Sequence, residues 1–423
     1  MRNQAESGDK QAQFHLANQY FYGSKACPVN PDLAVYWYRK SADQGLAESQ
    51  YNYALCLEQG IGIKQNLPEA VKYYCLAGDQ EFLPALYRRA MLLIHGFGIS
   101  AADMSKLTAD SRKALDQIMD PDTGRRLLEQ LAEKHQMPEA QIKLAEYLIK
   151  HLPDSTEEKY KNGKKIHDLL TRAQTVLKGQ KNPEILRLLA DCFFGGFGVP
   201  ADEKKAMGYL KQAVDAGDDE ALVKLAYCLE NGVDAPPDPA KAFELYRKAA
   251  LKGFPYAQYK YGNYIAGGYE PEKGLNEAIR WYQRAANYQC PEALHQMGIL
   301  YTKGIGVTQD LAWAAECFTR AAKLDHAPAQ LALGKLFLKG NTIVKADPSA
   351  TVYWLKRAAG KGSPEALKYL ALCYLYGTGC TMDPVEAMEL MKKAALLGDV
   401  QAGEWLRQNP RFWPTLASLD PAL

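Results

Sequence analysis

Residues 300–322 read LYTKGIGVTQDLAWAAECFTRAA, a glycine-rich turn between two apolar stretches. Turns of that kind can cradle a phosphate, because their backbone N–H groups converge where a helix begins after a buried strand. Here the context is wrong for that chemistry. No strand pattern precedes GIGV at 304–307, and the turn recurs as GIGI at 60–63, GFGI at 96–99, GFGV at 196–199 and GTGC at 377–380. One chain has little use for five identical phosphate sites, so the turns read as bends between helices.

Other reactive residue types are no better arranged. Histidines stand at 15, 95, 135, 151, 167, 295 and 326, with no HExxH and no Cys/His pairing at ligand spacing, so no metal and no other cofactor is expected. No GxSxG nucleophile turn occurs, and no cysteine has a matched histidine beside it. Paired acids such as Glu157–Glu158 fall in a charged stretch, where carboxylates serve as surface charge. The chain is therefore read as non-enzymatic.

The nine cysteines are odd in number and contain no CxxC. Four of them, Cys56, Cys192, Cys228 and Cys373, occupy one recurring helical position where other copies carry Leu or Tyr, which makes them small buried hydrophobes. A reducing compartment follows, so the location expected is cytoplasmic. The first residues, MRNQAESGDKQAQ, lack an apolar signal core; an exported or periplasmic location would follow if a leader had been removed. No run of 18 apolar residues occurs, so no membrane span is expected. A net charge of +2 with both signs interspersed provides no broad field for nucleic acid, which is not expected as a partner.

With 423 residues the chain exceeds the roughly 250–300 at which single cores stop growing. Its size is explained by internal repetition. A small or aliphatic anchor recurs at Ala12, Ser49, Ala85, Ala140, Ile185, Ala221, Ala257, Ala293, Ala329, Ala366 and Ala402, mostly 36 or 37 residues apart. Up to Ala366, five residues past the anchor stands Ala or Gly, and eleven past it Gly, except at His151; after Ala402, Arg407 replaces the small residue. A second register about 21 residues on, including Ala34, Ala70, Ala206, Ala242, Ala278, Ala314, Thr351 and Ala387, opens segments such as AVYWYRKSA and AIRWYQRAA. Each repeat thus holds two helices, A and B. Glycine ends helix A, where a left-handed backbone is wanted, and Pro with Asp starts helix B.

These residues carry a resemblance. Residues 293–325, ALHQMGILYTKGIGVTQDLAWAAECFTRAAKLD, follow almost position for position the pattern A-x-x-x-L-G-x-x-Y-x-x-G-x-G-V-x-x-D-x-x-x-A-x-x-W-Y-x-x-A-A-x-x-G of the Sel-one-like repeat, a branch of the tetratricopeptide-like solenoids. The resemblance covers about 400 residues. It implies an all-α fold without a sheet: a right-handed superhelix of about ten two-helix repeats. It also implies a protein-binding adaptor, of a kind frequent in bacteria.

Two long steps mark departures from the repeat. The expected organisation is repeats 1 and 2 with helix A of repeat 3 over 1–99, then an insertion over 100–120 whose Leu107, Leu115 and Ile118 would suit one added helix. Helix B of repeat 3 and an irregular repeat 4 fill 121–182, with a long charged turn at 151–165. Repeats 5 to 10 occupy 183–398, and a capping helix with a tail fills 399–423. Because helix A of repeat 1 starts almost at Met1, no N-terminal cap is expected; that end would be frayed, paired with another copy, or continued upstream. Oligomeric state is left open.

Within helix A, positions two and six past the anchor lie on a stripe separate from the packed one. By resemblance that stripe lines the concave surface of the superhelix and takes a protein or peptide segment. The candidate contact residues are Phe14, Asn18, Tyr51, Tyr87, Arg187, Tyr227, Tyr259, Asn263, His295, Lys335 and Lys368, since Tyr, Asn and Arg carry interface energy or hold a peptide backbone. The expected function is a protein-interaction scaffold. The alternative is an exported effector or envelope-associated protein binding a host or cell-envelope partner.

Overall fold

Helix boundaries follow from caps that the repeat spells out, and a computed structural model describes residues 2–23, 27–95, 120–153, 155–177, 182–340 and 344–409. Most B helices start on an Asn or Asp whose side chain takes a backbone N–H: Asn30 from Leu33 at 3.0 Å, Asp202 from Lys205 at 2.9 Å, Asp310 from Trp313 at 2.9 Å; Thr156–Val176 and Gly274–Asn287 lack such a cap. Each such cap contributes about 1 kcal/mol. Five A helices end on glycine in the left-handed region, at Gly60 (φ 71°), Gly196 (64°), Gly232 (72°), Gly304 (68°) and Gly377 (67°), whereas Pro138–Lys150 ends on His151 and Pro255–Ala266 on Gly267 at φ −80°. Gly96, the GFGI turn and the insertion at 100–119 lie outside the described residues, as does the tail from 410.

The second glycine of each turn has a separate reason. Gly62, Gly198, Gly306 and Gly379 all have positive φ, and a Cβ there would collide with the B helix of the preceding repeat: with the Pro31 carbonyl, with the Gly163–Lys164 backbone, with Leu275 and Ile279, and with the Pro348 carbonyl. The turn is a packing contact between repeats, which closes the phosphate question on structural grounds. Gly163 itself lies inside the helix Thr156–Val176, facing that crossing backbone.

Among the described residues there are 22 helices and no β-strand. They fall into two compact units. The first comprises Met1–Cys228 and Gly232–Pro236. It stacks the pairs Lys10–Tyr22/Pro31–Asp43, Ala47–Gln59/Leu67–Gly78, Leu83–His95/Pro121–Glu133, Pro138–Lys150/Thr156–Val176 and Pro183–Gly195/Glu203–Asp215. Its core has one cluster around Tyr38, Tyr53 and Tyr74 and another around Leu128, Leu144, Leu170 and Leu188. The second comprises Leu229–Asn231 and Pro237–Leu423. After Pro239–Leu251 it stacks Pro255–Ala266/Gly274–Asn287, Pro291–Lys303/Leu311–Lys323, Ala327–Lys339/Pro348–Gly360 and Pro364–Tyr376/Pro384–Leu396, then the single helix Val400–Gln408. The expected all-α stack of two-helix repeats without a sheet is what both units show.

Two local expectations need correction. The charged stretch at 151–165 is not one long turn: from Thr156 onward it belongs to a 21-residue helix, in which Lys165 reaches Glu129 at 3.1 Å. At the other end, the short helix Arg2–Glu6 packs against Lys10–Tyr22 and occupies the place of a B-helix terminus. Buried Gln13 donates to the Ala5 carbonyl at 3.0 Å, as Gln50 does to Ala42 and Gln330 to Ala322, each at 3.2 Å. The first A helix is therefore covered by the chain's own opening residues.

Candidate interaction surface

The stripe two and six residues past each anchor is partly exposed, and most of its members already have partners. In the first unit, Asn18 Oδ1 accepts the Tyr38 hydroxyl at 2.6 Å, and the Phe14 ring lies 6.3 Å from that of Tyr38. Tyr51 sits between Tyr74 and Phe82, with ring centroids at 5.8 and 5.5 Å. Tyr87 is half-buried, and burial pushes its phenol above the usual range, as it does for Tyr51. Arg187 is not available to a partner: its side chain is 8% exposed and held by Asp218 at 3.0 Å and Glu220 at 3.1 Å. Tyr227 presents more surface, at 50% exposed.

In the second unit Tyr259 packs between Tyr256 and Tyr282, with centroids at 6.1 and 6.0 Å. Asn263 Oδ1 accepts the Tyr282 hydroxyl at 2.8 Å, repeating the Asn18–Tyr38 bond. The half-buried His295 ring lies 5.7 Å from Phe318 and 5.1 Å from His326; burial, then the neighbouring imidazole, pushes its pKa down to about 4. Lys335 binds Glu365 at 2.7 Å, and Lys368 binds Asp399 and Gln401, each at 2.8 Å. Both ammonium groups also lie over the Tyr369 ring, at 5.3 and 5.5 Å.

Sequence reasoning missed the residues that tie this face together. Position three past the anchor carries Arg88, Lys143, Lys224 and Lys260, and each reaches an acid on an adjacent A helix: Glu58 (2.7 Å), Glu184 (2.6 Å), Asp191 (2.6 Å) and Glu230 (2.7 Å). Glu58 and Glu230 stand nine past their anchors, one repeat before their bases, so the acid-then-base spacing was present in the sequence. Such half-buried pairs are screened less than surface pairs and orient the long side chains along the face.

Among the described residues no group of three or more His, Cys, Asp or Glu is placed to hold a metal ion. Cys290 donates to Glu292 Oε2 at 3.2 Å, and burial pushes its thiol up to about 12, away from a thiolate nucleophile. The described residues of the face are fixed aromatic rings, amides and paired charges.

The family model described as Sel1 repeat matches residues 10–46, 47–82, 184–218, 219–254, 255–287, 291–326, 327–363 and 364–399. Among curated proteins, the chain is 28% identical over 225 residues to an uncharacterized protein of Neisseria meningitidis serogroup B, covering 53% of this chain and 40% of that protein. It is 30% identical over 89 residues to chitin synthase regulatory factor 2 of Schizosaccharomyces pombe, covering 21% of this chain and 17% of that one. The matched regions thus span less than half of either relative. Among solved structures it is similar to a protective antigen of uropathogenic Escherichia coli strains displaying an SLR fold, with a TM-score of 0.51, 22% identity, and 97% and 82% of the two chains covered.

Proposed function

Since the chain belongs to the Sel1 repeat family, whose members are generally non-catalytic protein-interaction scaffolds, we propose that it seats a protein or peptide segment along the A-helix face of its second unit. One observation carries the choice of face: the candidate contact residues there are held in place before any partner arrives. Tyr259 is fixed between two other tyrosines, and Tyr369 is flanked by Lys335 and Lys368, both already ion-paired. Preorganised aromatic groups lose little entropy on binding, which is where interface affinity is commonly lost. B helices also carry charged side chains such as Lys241, Arg247 and Arg280, which pair locally with the capping Asp238, with Glu270 in the turn before the next B helix and with Glu277.

A photo-crosslinker at Tyr259, His295 or Leu331, compared with one at Lys248 or Arg284, tests this in native cells. Partner adducts should form from the A-face positions, and those at His295 and Leu331 should be lost in the Tyr256→Ala/Tyr259→Ala variant with helicity unchanged. Adducts from the B-face positions alone would reject the reading. The partner is taken to be cytoplasmic; recovery of the chain in a periplasmic or secreted fraction would replace this with the exported or envelope-associated role.

A further inference from the structure

The His295 and His326 rings meet between two successive A helices, with centroids 5.1 Å apart. A helices in this chain are capped three residues before the anchor, and where a side chain serves it is usually permanent: Asp9, Asn182, Asp218, Ser363 and Asp399 each accept the anchor's N–H. At Ala327–Lys339 the cap is His326, whose Nδ1 accepts from Ala329 N at 3.3 Å. That bond exists only while Nδ1 carries no proton. An imidazolium has no acceptor and adds a positive charge at the positive end of the helix dipole. Its ring lies 5.1 Å from His295 on the preceding A helix, Pro291–Lys303, so charging both sets like charges together in a half-buried site.

We propose that the His295–His326 pair is an acid-sensitive joint between repeats 8 and 9, closed while both imidazoles are neutral and loosened when they take up protons. The charged groups facing it are already engaged or outweighed. Glu292, on the helix of His295, favours a charged His326 but is outweighed by burial, which holds His326 below the usual histidine range. Glu292 is also engaged by the Cys290 thiol. Asp325, beside His326, is occupied by Gln330, Arg357 and Lys361, the last two from or just beyond the helix Pro348–Gly360. Phe318, from Leu311–Lys323, closes the pocket over His295 without a charge. Both histidines are depressed when folded. The stability they confer is therefore present above the ordinary histidine pKa of about 6.5. It is lost as pH falls toward about 4, the folded value of His295.

The proposal does not depend on what the A-helix face binds. Hydrogen exchange read by mass spectrometry on the full chain, at about pH 7 and about pH 4.5 and corrected for intrinsic rates, tests it, with the Ser363-capped helix Pro364–Tyr376 as internal reference. The expected result is a loss of roughly five- to tenfold in protection at the start of Ala327–Lys339 on acidification, the scale of a lost helix cap, with no matching loss in the reference. His326→Ser should abolish that acid-specific loss, and His295→Leu should shrink it. If serine already loosens the helix at neutral pH, His326→Asn is judged by the same criterion. An equal loss in both helices, or an undiminished loss in the capped variants, overturns the joint.

Discussion

The Tyr74 hydroxyl donates to Glu58 Oε2 at 2.6 Å, and the same carboxylate, whose side chain has no exposed surface, is gripped by Arg88 at 2.7 and 3.0 Å from the next A helix. One repeat pair in the second unit copies the arrangement: Glu230 accepts from Tyr246 at 3.1 Å and from Lys260 at 2.7 Å. A carboxylate that has lost water survives in the core only if its lone pairs and charge are met. In both units these clasps tie an A helix to the B helix of its own repeat and to the A helix of the next.

Removing the counterion should therefore cost more than removing the hydroxyl. Arg88→Met leaves Glu58 buried and uncompensated, a loss of about 3–5 kcal/mol. Tyr74→Phe removes one hydrogen bond to a charged group, about 2 kcal/mol. Urea unfolding followed by circular dichroism reads the difference, and equal costs would show that the clasp is not an ion-pair device.

The buried glutamines next to the anchor are unequal. Gln50 is satisfied at both ends, donating to Ala42 O at 3.2 Å and accepting from Gln80 at 2.8 Å. Gln258 donates only weakly, at 3.4 Å, and its buried Oε1 has no partner. Other repeats carry Leu at this position, as at Leu222 and Leu294. Gln50→Leu should cost about 1–2 kcal/mol because it removes two hydrogen bonds, one of them buried, while Gln258→Leu should lie within about 0.5 kcal/mol of wild type. The same denaturation series decides it, and the reverse order would contradict the hydrogen-bond account.

Glycines of the two turn types should respond differently to a methyl group. Gly253 has a positive φ (96°) but open space around its Cβ position, so Gly253→Ala meets backbone strain alone, about 1 kcal/mol. Gly379 has both the strain and the Pro348 carbonyl in the way. Gly379→Ala should destabilise by roughly a further 1–3 kcal/mol and so lower the melting temperature more. Similar melting temperatures for the two variants would mean that the turn does not pack against the preceding repeat.

Thiol chemistry should separate the cysteines by burial. Burial pushes Cys56, Cys192 and Cys290 up to about 12 and Cys228, Cys317 and Cys373 up to about 11. Only the half-buried Cys27, Cys75 and Cys380 should react quickly with Ellman's reagent in the native protein, against nine after denaturation. Fast modification of Cys56 or Cys192, located by peptide mapping, would contradict the packing of the A helices.

The repeat could be read from the chain alone because its signals are local. Anchors 36 residues apart, the Asn, Asp and Pro that open B helices and the glycines that close A helices each act within a few residues, so they survive in one dimension. The helical stretch within 151–165 was missed because a charged run with a central glycine looks like a turn until Gly163 is seen facing the Phe197–Gly198 backbone. The candidate surface was legible only as a register. Spacing placed Arg187, Lys335 and Lys368 on one stripe with Tyr259, but it carried no word of Asp218, Glu365 or Asp399, which lie about 30 residues away and become neighbours only when repeats stack. Periodicity determines which side of a helix a residue occupies. Whether that residue is free for a partner is decided by pairing across repeats, and pairing exists only in three dimensions.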